Sequence, residues 1–257
     1  MSTHIRIVTP ITTRGFRDRA EFKALEGTEL RISCCDIKMG PASIECELDE
    51  ALALPGTIAR VIEAQRDGAQ AVVIDCMGDP GMKAARECVN IPVIGPCQVS
   101  MHVAAILGQR FSVLTVLDRV GPMIENLARQ YGVAAEMASV RSVNIPVLEL
   151  ERNLEGTRTA LGELAVRAVE ADGADAIVLG CTGMLGGADA VRESLFARNC
   201  DVPVIDPVPL AVRMAAALID CGLSHSKVTF AQPPLKPVVG YEALELGREA
   251  ARPSLSG

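Results

Sequence analysis

The chain is predicted to be an α/β protein of two pseudo-symmetric lobes, each a mostly parallel sheet flanked by helices. Three observations predict it. Short apolar runs alternate with longer helix-like stretches. Two stretches of the chain repeat one another in sequence and in the order of their elements. A cysteine closes the same strand in each repeat: Cys76 and Cys181, 105 positions apart.

The apolar runs are Ile5–Thr9, Leu30–Cys34, Ala71–Asp75, Pro92–Ile94, Phe111–Val116, Ala176–Gly180 and Pro203–Ile205. Continuous apolar runs this short suit strands covered on both faces. Between them, Leu54–Gln65 carries Leu54, Ile58, Val61 and Ile62 at helical spacing, with Pro55 expected in the first turn. Arg158–Ala171 repeats the pattern through Leu161, Leu164, Ala165 and Ala168. Strands alternating with helices imply crossover connections and parallel sheets.

The repeat is explicit. EAQRDGAQAVVIDC (63–76) matches EADGADAIVLGC (170–181), each a helix end, a turn at Gly68 or Gly173, a strand and a cysteine. IPVIGP (91–96) then matches VPVIDP (202–207). A helix follows each, and after it come FSVLTV in one half and KVTF in the other. Two such lobes can face each other about a pseudo-twofold axis, bringing equivalent strand ends to one cleft. The expected division is 1–109 for the first lobe, 110–223 for the second and 224–257 for a C-terminal segment, part of which crosses back to the first lobe.

Composition narrows the function. The chain has 257 residues, 49% hydrophobic and 22% charged, with a net charge of -7. That is enough for a sizeable core and is unlike a disordered chain. A mildly acidic chain without basic runs points away from nucleic acid and from anionic membranes. MSTHIRIVTP has no basic segment leading into an apolar one, and no apolar run reaches the ~18–20 residues of a membrane span. A cytoplasmic location is expected. The nine cysteines are odd in number and form no CxxC pair, and His4, His102 and His225 are scattered. Neither a disulfide framework nor a metal site is expected. Most of the cysteines, Cys35, Cys88, Cys200 and Cys221 among them, read as small buried hydrophobes.

Cys76 and Cys181 escape that reading because they are paired by the repeat. Removing a proton from one face of a carbon and returning it to the other takes a base and an acid that exchange roles with direction. Two like residues on opposite walls meet that need. A thiol has an ordinary pKa of ~8.5, which a helix N-terminus can lower. Both cysteines precede glycine-containing turns, Cys76-Met77-Gly78-Asp79-Pro80-Gly81 and Cys181-Thr182-Gly183-Met184. Pro80 suits the first turn of a helix starting there. The expectation is one thiolate and one thiol at rest, with free backbone amides for an enolate-like oxygen.

DCMGDPGMKAARE (75–87), LGCTGM (179–184), PASIE (41–45), PVIGP (92–96) and PVIDP (203–207) resemble the aspartate/glutamate/hydantoin racemase superfamily, its hydantoin and allantoin racemase branch in particular. The resemblance runs from about residue 4 to 223. It implies a cofactor-independent, PLP-free reaction between two cysteines, lobes facing across a cleft, and a homo-oligomer. It carries substrate contacts to Met77, Gly78, Asp79, Thr182 and Gly183. The loop after the first strand contributes too, here Pro10, Thr12 and Thr13. Hydantoin racemases usually show Asn-Pro-Asn-Thr/Ser at that loop, whereas this chain has Thr9 and Ile11 in place of both asparagines. The missing amides leave the substrate open. Ser43 and Glu45 lie in a matched motif at the cleft mouth, and Thr115 ends the first strand of the second lobe.

Other residues stay open at this level. His102 reads as structural. Arg14, Arg17 and Arg19 are either solvated or, if one turns inward, ligands for an anionic substrate. Asp118, Arg119 and Asp206 are caps or cleft residues. The leading function is a racemase or epimerase acting next to a carbonyl, on a 5-substituted hydantoin, allantoin or a related amino-acid derivative. The alternatives are a decarboxylase or cis-trans isomerase of small dicarboxylates, and a cytoplasmic small-molecule sensor without catalysis.

Overall fold

The computed structural model describes residues 2–17, 19–234, 236 and 238–241. Two four-stranded parallel sheets organise it. The first holds β1 (Thr3–Thr9), β2 (Leu30–Asp36), β3 (Ala71–Ile74) and β4 (Val93–Ile94) in the order β2-β1-β3-β4. The second holds β5 (Phe111–Thr115), β6 (Met137–Ser142), β7 (Ala176–Leu179) and β8 (Val204–Ile205) in the order β6-β5-β7-β8. The two orders are the same topology, so the sequence repeat is a structural one. The helices are α1 (Arg19–Ala24), α2 (Glu47–Arg66), α3 (Met82–Cys88), α4 (Pro96–Leu107), α5 (Gly121–Tyr131), α6 (Leu154–Glu170), α7 (Gly187–Phe196) and α8 (Pro207–Asp220).

Two of the inner strands, β3 and β7, are apolar throughout because helices cover both faces. Every residue of β3, β5 and β7 is buried. The edge strands differ. All six residues of β6 are half-buried, and its sequence MASVRS has no continuous apolar run. The apolar-run signature therefore misses β6, while it finds the other edge strands, β2, β4 and β8. On the outer face of the first sheet, α2 and α3 pack Ala53, Val61, Ala64 and Met82 against Val8, Val72 and Ile74.

The inner faces are closed by exchange. α8 packs Val208, Ala211, Val212 and Ala215 onto Ile5, Ile7, Ala71 and Val73 of the first sheet. α4 packs Cys97, Met101 and Ala104 into the core of the second sheet with Phe111, Val113 and Ile177. Each half thus buries the other's sheet. Burying a large apolar side chain contributes on the order of 1.5–3 kcal/mol, so separating the halves would expose a substantial share of both cores.

The two helix starts show how unlike residues do the same job. Pro96 and Pro207 each open a helix at the first position. Asp206 caps α8 itself, its carboxylate accepting from the Val208 amide at 3.4 Å. Gly95 stands where Asp206 does and has no side chain to offer. There the Asp79 carboxylate reaches across, accepting from the Cys97 amide at 3.0 Å and the Gln98 amide at 2.9 Å. A methyl group on Gly95 would overlap that carboxylate.

Three local expectations are corrected. α2 starts at Glu47, not Leu54, and Pro55 lies inside it. Acidic residues in its first turn, Glu47, Asp49 and Glu50, favour the earlier start. α3 starts at Met82, not Pro80, because Gly81 turns the chain through a left-handed conformation at φ 74°. Lys227–Phe230 is a turn, not a strand. Lys227 instead binds the open carbonyls at the end of α3, donating to Arg86 O at 2.7 Å and to Val89 O. Beside it Ser224 donates to Asn90 O at 2.6 Å. The polar tail from Arg248 lies outside the described residues.

Candidate active site

The two cysteine loops are built alike. Where β3 ends, the Asp75 amide donates to Val8 O at 2.8 Å; where β7 ends, the Gly180 amide donates to Leu114 O at 2.7 Å. The next residue in each loop is the cysteine. Each sulfur accepts the amide two residues on, Gly78 N–H to Cys76 Sγ and Gly183 N–H to Cys181 Sγ, both at 3.4 Å. The expected helix N-termini are not the source of these amides, since α3 and α7 begin six residues after their cysteines.

Both cysteines line one cavity of about 60 Å³ between the sheets' C-terminal edges. Its apolar wall comes mostly from the second half: Val116, Val120, Met123, Ile124, Leu127 and Val147. Its polar lining includes Thr9, Arg17, Glu45, Asp75 and Thr182. Glu45 reaches over from the first half, its Oε1 accepting the Val147 amide at 2.8 Å.

Arg17 turns inward. Its Nε lies 3.1 Å from Asp75 Oδ2, its Nη2 lies 3.4 Å from Glu21 Oε2, and its Nη1 donates to the Thr182 carbonyl. The guanidinium also stands 5.0 Å over the Phe22 ring. Asp75 accepts the Thr9 hydroxyl as well, at 3.2 Å. Thr182 Oγ1 donates to the Asp75 carbonyl at 3.2 Å. The residue before Cys76 and the residue after Cys181 are therefore joined twice, once directly and once through Arg17.

Burial pushes both thiols up, which is the opposite of the expected thiolate. Cys76 is raised well above the usual range by desolvation, with Cys181, Glu50 and Asp79 adding to the rise and the Gly78 amide opposing it. Cys181 is pushed up to about 11, again by burial first; the Gly183 amide and Arg17 oppose it, and Asp75 and Glu45 add to it. The sulfurs' amide bonds do not outweigh lost hydration. Glu50 stands beside Gly78, and burial, then Glu47 and Asp79, raise its carboxyl to about 7. Buried Asp79 is raised to about 6 by desolvation despite the hydroxyl of Tyr131, 2.7 Å away, and two amides.

Of the residues expected at the site, Pro10, Cys76, Met77, Gly78, Cys181 and Thr182 line the cavity. Thr12, Thr13, Ser43, Asp79, Thr115 and Gly183 do not. Thr12 and Thr13 donate to Pro41 O and Ala42 O, pinning their loop to the PASIE segment. Ser43 donates to Glu45 at 3.4 Å. Asp79 caps α4, as described above. Thr115 is fully buried, packed where Gly180 lacks a side chain. Gly183 holds Cys181 and lies under Phe16, whose Cζ a methyl group at Gly183 would meet at 2.9 Å. Arg14 is exposed and faces a second, polar groove. The side chain of Arg19 lies outside the described residues. Among the described residues no group of His, Cys, Asp and Glu converges as a metal site, and no helix is long and apolar enough to cross a membrane.

Sequence reasoning missed Asp75 and the apolar wall. Asp75 carried a signal, because the repeat reads Asp-Cys in one half and Gly-Cys in the other. The wall residues carried none, being ordinary core residues in sequence.

The Asp/Glu/hydantoin racemase family model matches residues 8–215. The chain is 40% identical to a hydantoin racemase of Rhizobium meliloti, over 93% of this chain and 98% of that protein. It is 39% identical to a hydantoin racemase of Pseudomonas sp. (strain NS671), over 92% and 94%. The solved structure of an allantoin racemase from Klebsiella pneumoniae superposes with a TM-score of 0.85 at 33% identity, covering 95% of this chain and 99% of that one.

Proposed function

The chain belongs to the Asp/Glu/hydantoin racemase family, and from that premise we propose that it racemises 5-substituted hydantoins bearing an apolar 5-substituent. One observation carries this reading: two thiols at equivalent strand ends line one cavity. In the proposed reaction one sulfur, as thiolate, takes the C5 proton while the opposite thiol donates its proton to the other face. The C5–H bond breaks, its electron pair passes into the adjacent carbonyl as an enolate, and then returns to form the new C–H bond.

The electrostatics favour a neutral substrate. Arg17 is occupied by Asp75, Glu21 and Thr182, so it has no fork to offer a substrate carboxylate. Glu45 and Asp75 line the cavity and would repel one. These observations disfavour small dicarboxylates, and with them the isomerase and decarboxylase alternatives. The wall from Val116 to Val147 suits an alkyl substituent. Allantoin, with its polar ureido group, is the second reading, supported by the likeness to allantoin racemases.

In this proposal Cys76 and Cys181 exchange the proton, Pro10, Met77, Gly78 and Thr182 contact the ring, and Gly183 holds the second sulfur. Thr12, Thr13, Ser43, Asp79 and Thr115 support those loops. A homo-oligomer in the cytoplasm belongs to the same proposal, and sedimentation tests the assembly. The decisive test is deuterium exchange at C5 in D2O, across 5-alkyl hydantoins, allantoin and aspartate. Exchange with 5-alkyl hydantoins is expected, and Cys76→Ser and Cys181→Ser in folded protein should each abolish racemisation. Binding without exchange would favour a sensor, and full activity in both variants would end the two-cysteine mechanism.

A further inference from the structure

The repeat predicts twin cysteines, but the structure surrounds them unequally. Cys76 has carboxyl groups nearby, Glu50 and Asp79, both of which oppose its ionisation. Cys181 has Arg17 as well as Asp75 and Glu45. The inequality traces to a position where the repeat breaks, Asp75 against Gly180. Asp75 is buried and draws Arg17 inward; Arg17 then bonds the carbonyl next to Cys181. Gly180 cannot carry a matching acid, because a side chain there would strike Val113 Cγ1 at 2.7 Å and Leu114 O at 2.9 Å.

Resting on the racemase reading, we propose that Arg17 is a positioning residue that ties the Cys76 loop to the Cys181 loop and makes Cys181 the first of the two to act as base. Two consequences follow from the bonds. Arg17 and the Thr182 hydroxyl fix the span between the loops, and hence the gap across which one carbon must meet both sulfurs. The guanidinium's positive charge also favours ionisation of Cys181. Cys181 first loses its own proton to solvent; as thiolate it takes the substrate proton, and the Cys76 thiol returns its own to the opposite face. The protein is then left with Cys181 as thiol and Cys76 as thiolate, the state that acts on the other enantiomer. The directional asymmetry vanishes from the overall equilibrium, which enantiomers fix at unity, but it persists in the protonation of the free protein.

The test reads the thiols separately, by mass spectrometry of peptides after brief iodoacetamide pulses between pH 7 and 9.5. In the unsubstituted protein Cys181 should label faster than Cys76, with its rise at lower pH. Arg17→Met should slow Cys181 about tenfold at fixed pH, the equivalent of about one pH unit, and leave Cys76 unchanged. Arg17→Lys, which keeps the charge, should retain the difference but lose rate, because a single ammonium cannot span Asp75, Glu21 and the Thr182 carbonyl. Asp75→Asn should release Arg17 and lower kcat more than it raises KM. Equal labelling of the two cysteines in the unsubstituted protein would overturn the proposal without any variant needing to fold. So would parallel changes at both cysteines in Arg17→Met. Measured beside it, C5 exchange by the unsubstituted protein separates the outcomes: exchange with equal labelling sinks the role of Arg17 alone, and absence of exchange on every substrate sinks the racemase reading.

Discussion

Replacing Gly180 with alanine should damage both the fold and the reaction, and the structure gives the size of the effect. The added methyl would lie 2.7 Å from Val113 Cγ1, 2.9 Å from Leu114 O and 3.1 Å from Thr115 Cβ. Ordinary carbon contacts begin at about 3.5 Å. The neighbours cannot yield cheaply, since Leu114 O accepts the Gly180 amide and β5 pairs with β7 through Leu114 and Leu179. Overpacking of this kind costs about 1–3 kcal/mol. At about 2–4 °C per kcal/mol for a chain of this size, the melting temperature should fall by about 2–12 °C. The relief available is a shift of the next residue, Cys181, away from β5. A displacement of about 1 Å in a reacting group can cost about 100-fold in rate, so exchange should fall by more than the loss of stability explains. Calorimetry and C5 deuterium exchange on the same preparation measure both. Gly121→Ala is the control, since nothing lies within 4 Å of its added methyl and the backbone there is helical; it should be neutral or slightly stabilising. Gly180→Ala with unchanged melting and unchanged exchange would refute the claim that close approach to β5 sets the cysteine's position.

Two further outcomes are expected. The Glu50 carboxyl, raised to about 7 by burial, favours its neutral form in the fold. Its contribution to stability is full below the ordinary value near 4.5 and is lost as pH rises through 7, so Glu50→Gln should flatten the decline in stability between pH 5 and 8. The same substitution should speed Cys76 alkylation at pH 8, because a carboxylate that opposes the thiolate is gone; an unchanged pH slope in urea titrations, with unchanged alkylation, would count against both. Met123→Ala, opening the apolar wall, should cost about 2–5 kcal/mol of stability. It should raise the rate for a benzyl over a methyl 5-substituent by about tenfold or more, and an unchanged preference would show that the substituent points elsewhere.

Much of the fold was legible because inner strands of parallel sheets are apolar on both faces and short enough to stand out. The edge strand β6 was not, since its half-buried MASVRS mixes polar and apolar residues. The helix starts erred where local chemistry overruled spacing: acidic residues extended α2 past Pro55, and Gly81 delayed α3. At the site, the repeat picked out Cys76 and Cys181 because equivalent strand ends must occupy equivalent places. It overestimated their helix dipoles, since six residues separate each sulfur from the helix that follows.

The sequence by itself determined the architecture, the pairing of the cysteines and the family, because each is written in local pattern or in repetition along the chain. It also contained a break in that repetition, Asp75 against Gly180, without its meaning. Only the tertiary structure decided that α4 and α8 close each other's sheets, that Asp79 caps the helix Gly95 leaves uncapped, and that Arg17 is consumed by Asp75, Glu21 and the Thr182 carbonyl. These depend on contacts between residues far apart in sequence, where nothing periodic announces the partner. The thiols' environment belongs to the same class, for burial and the charges around a sulfur are properties of the packed cavity and not of the residues beside it in the chain.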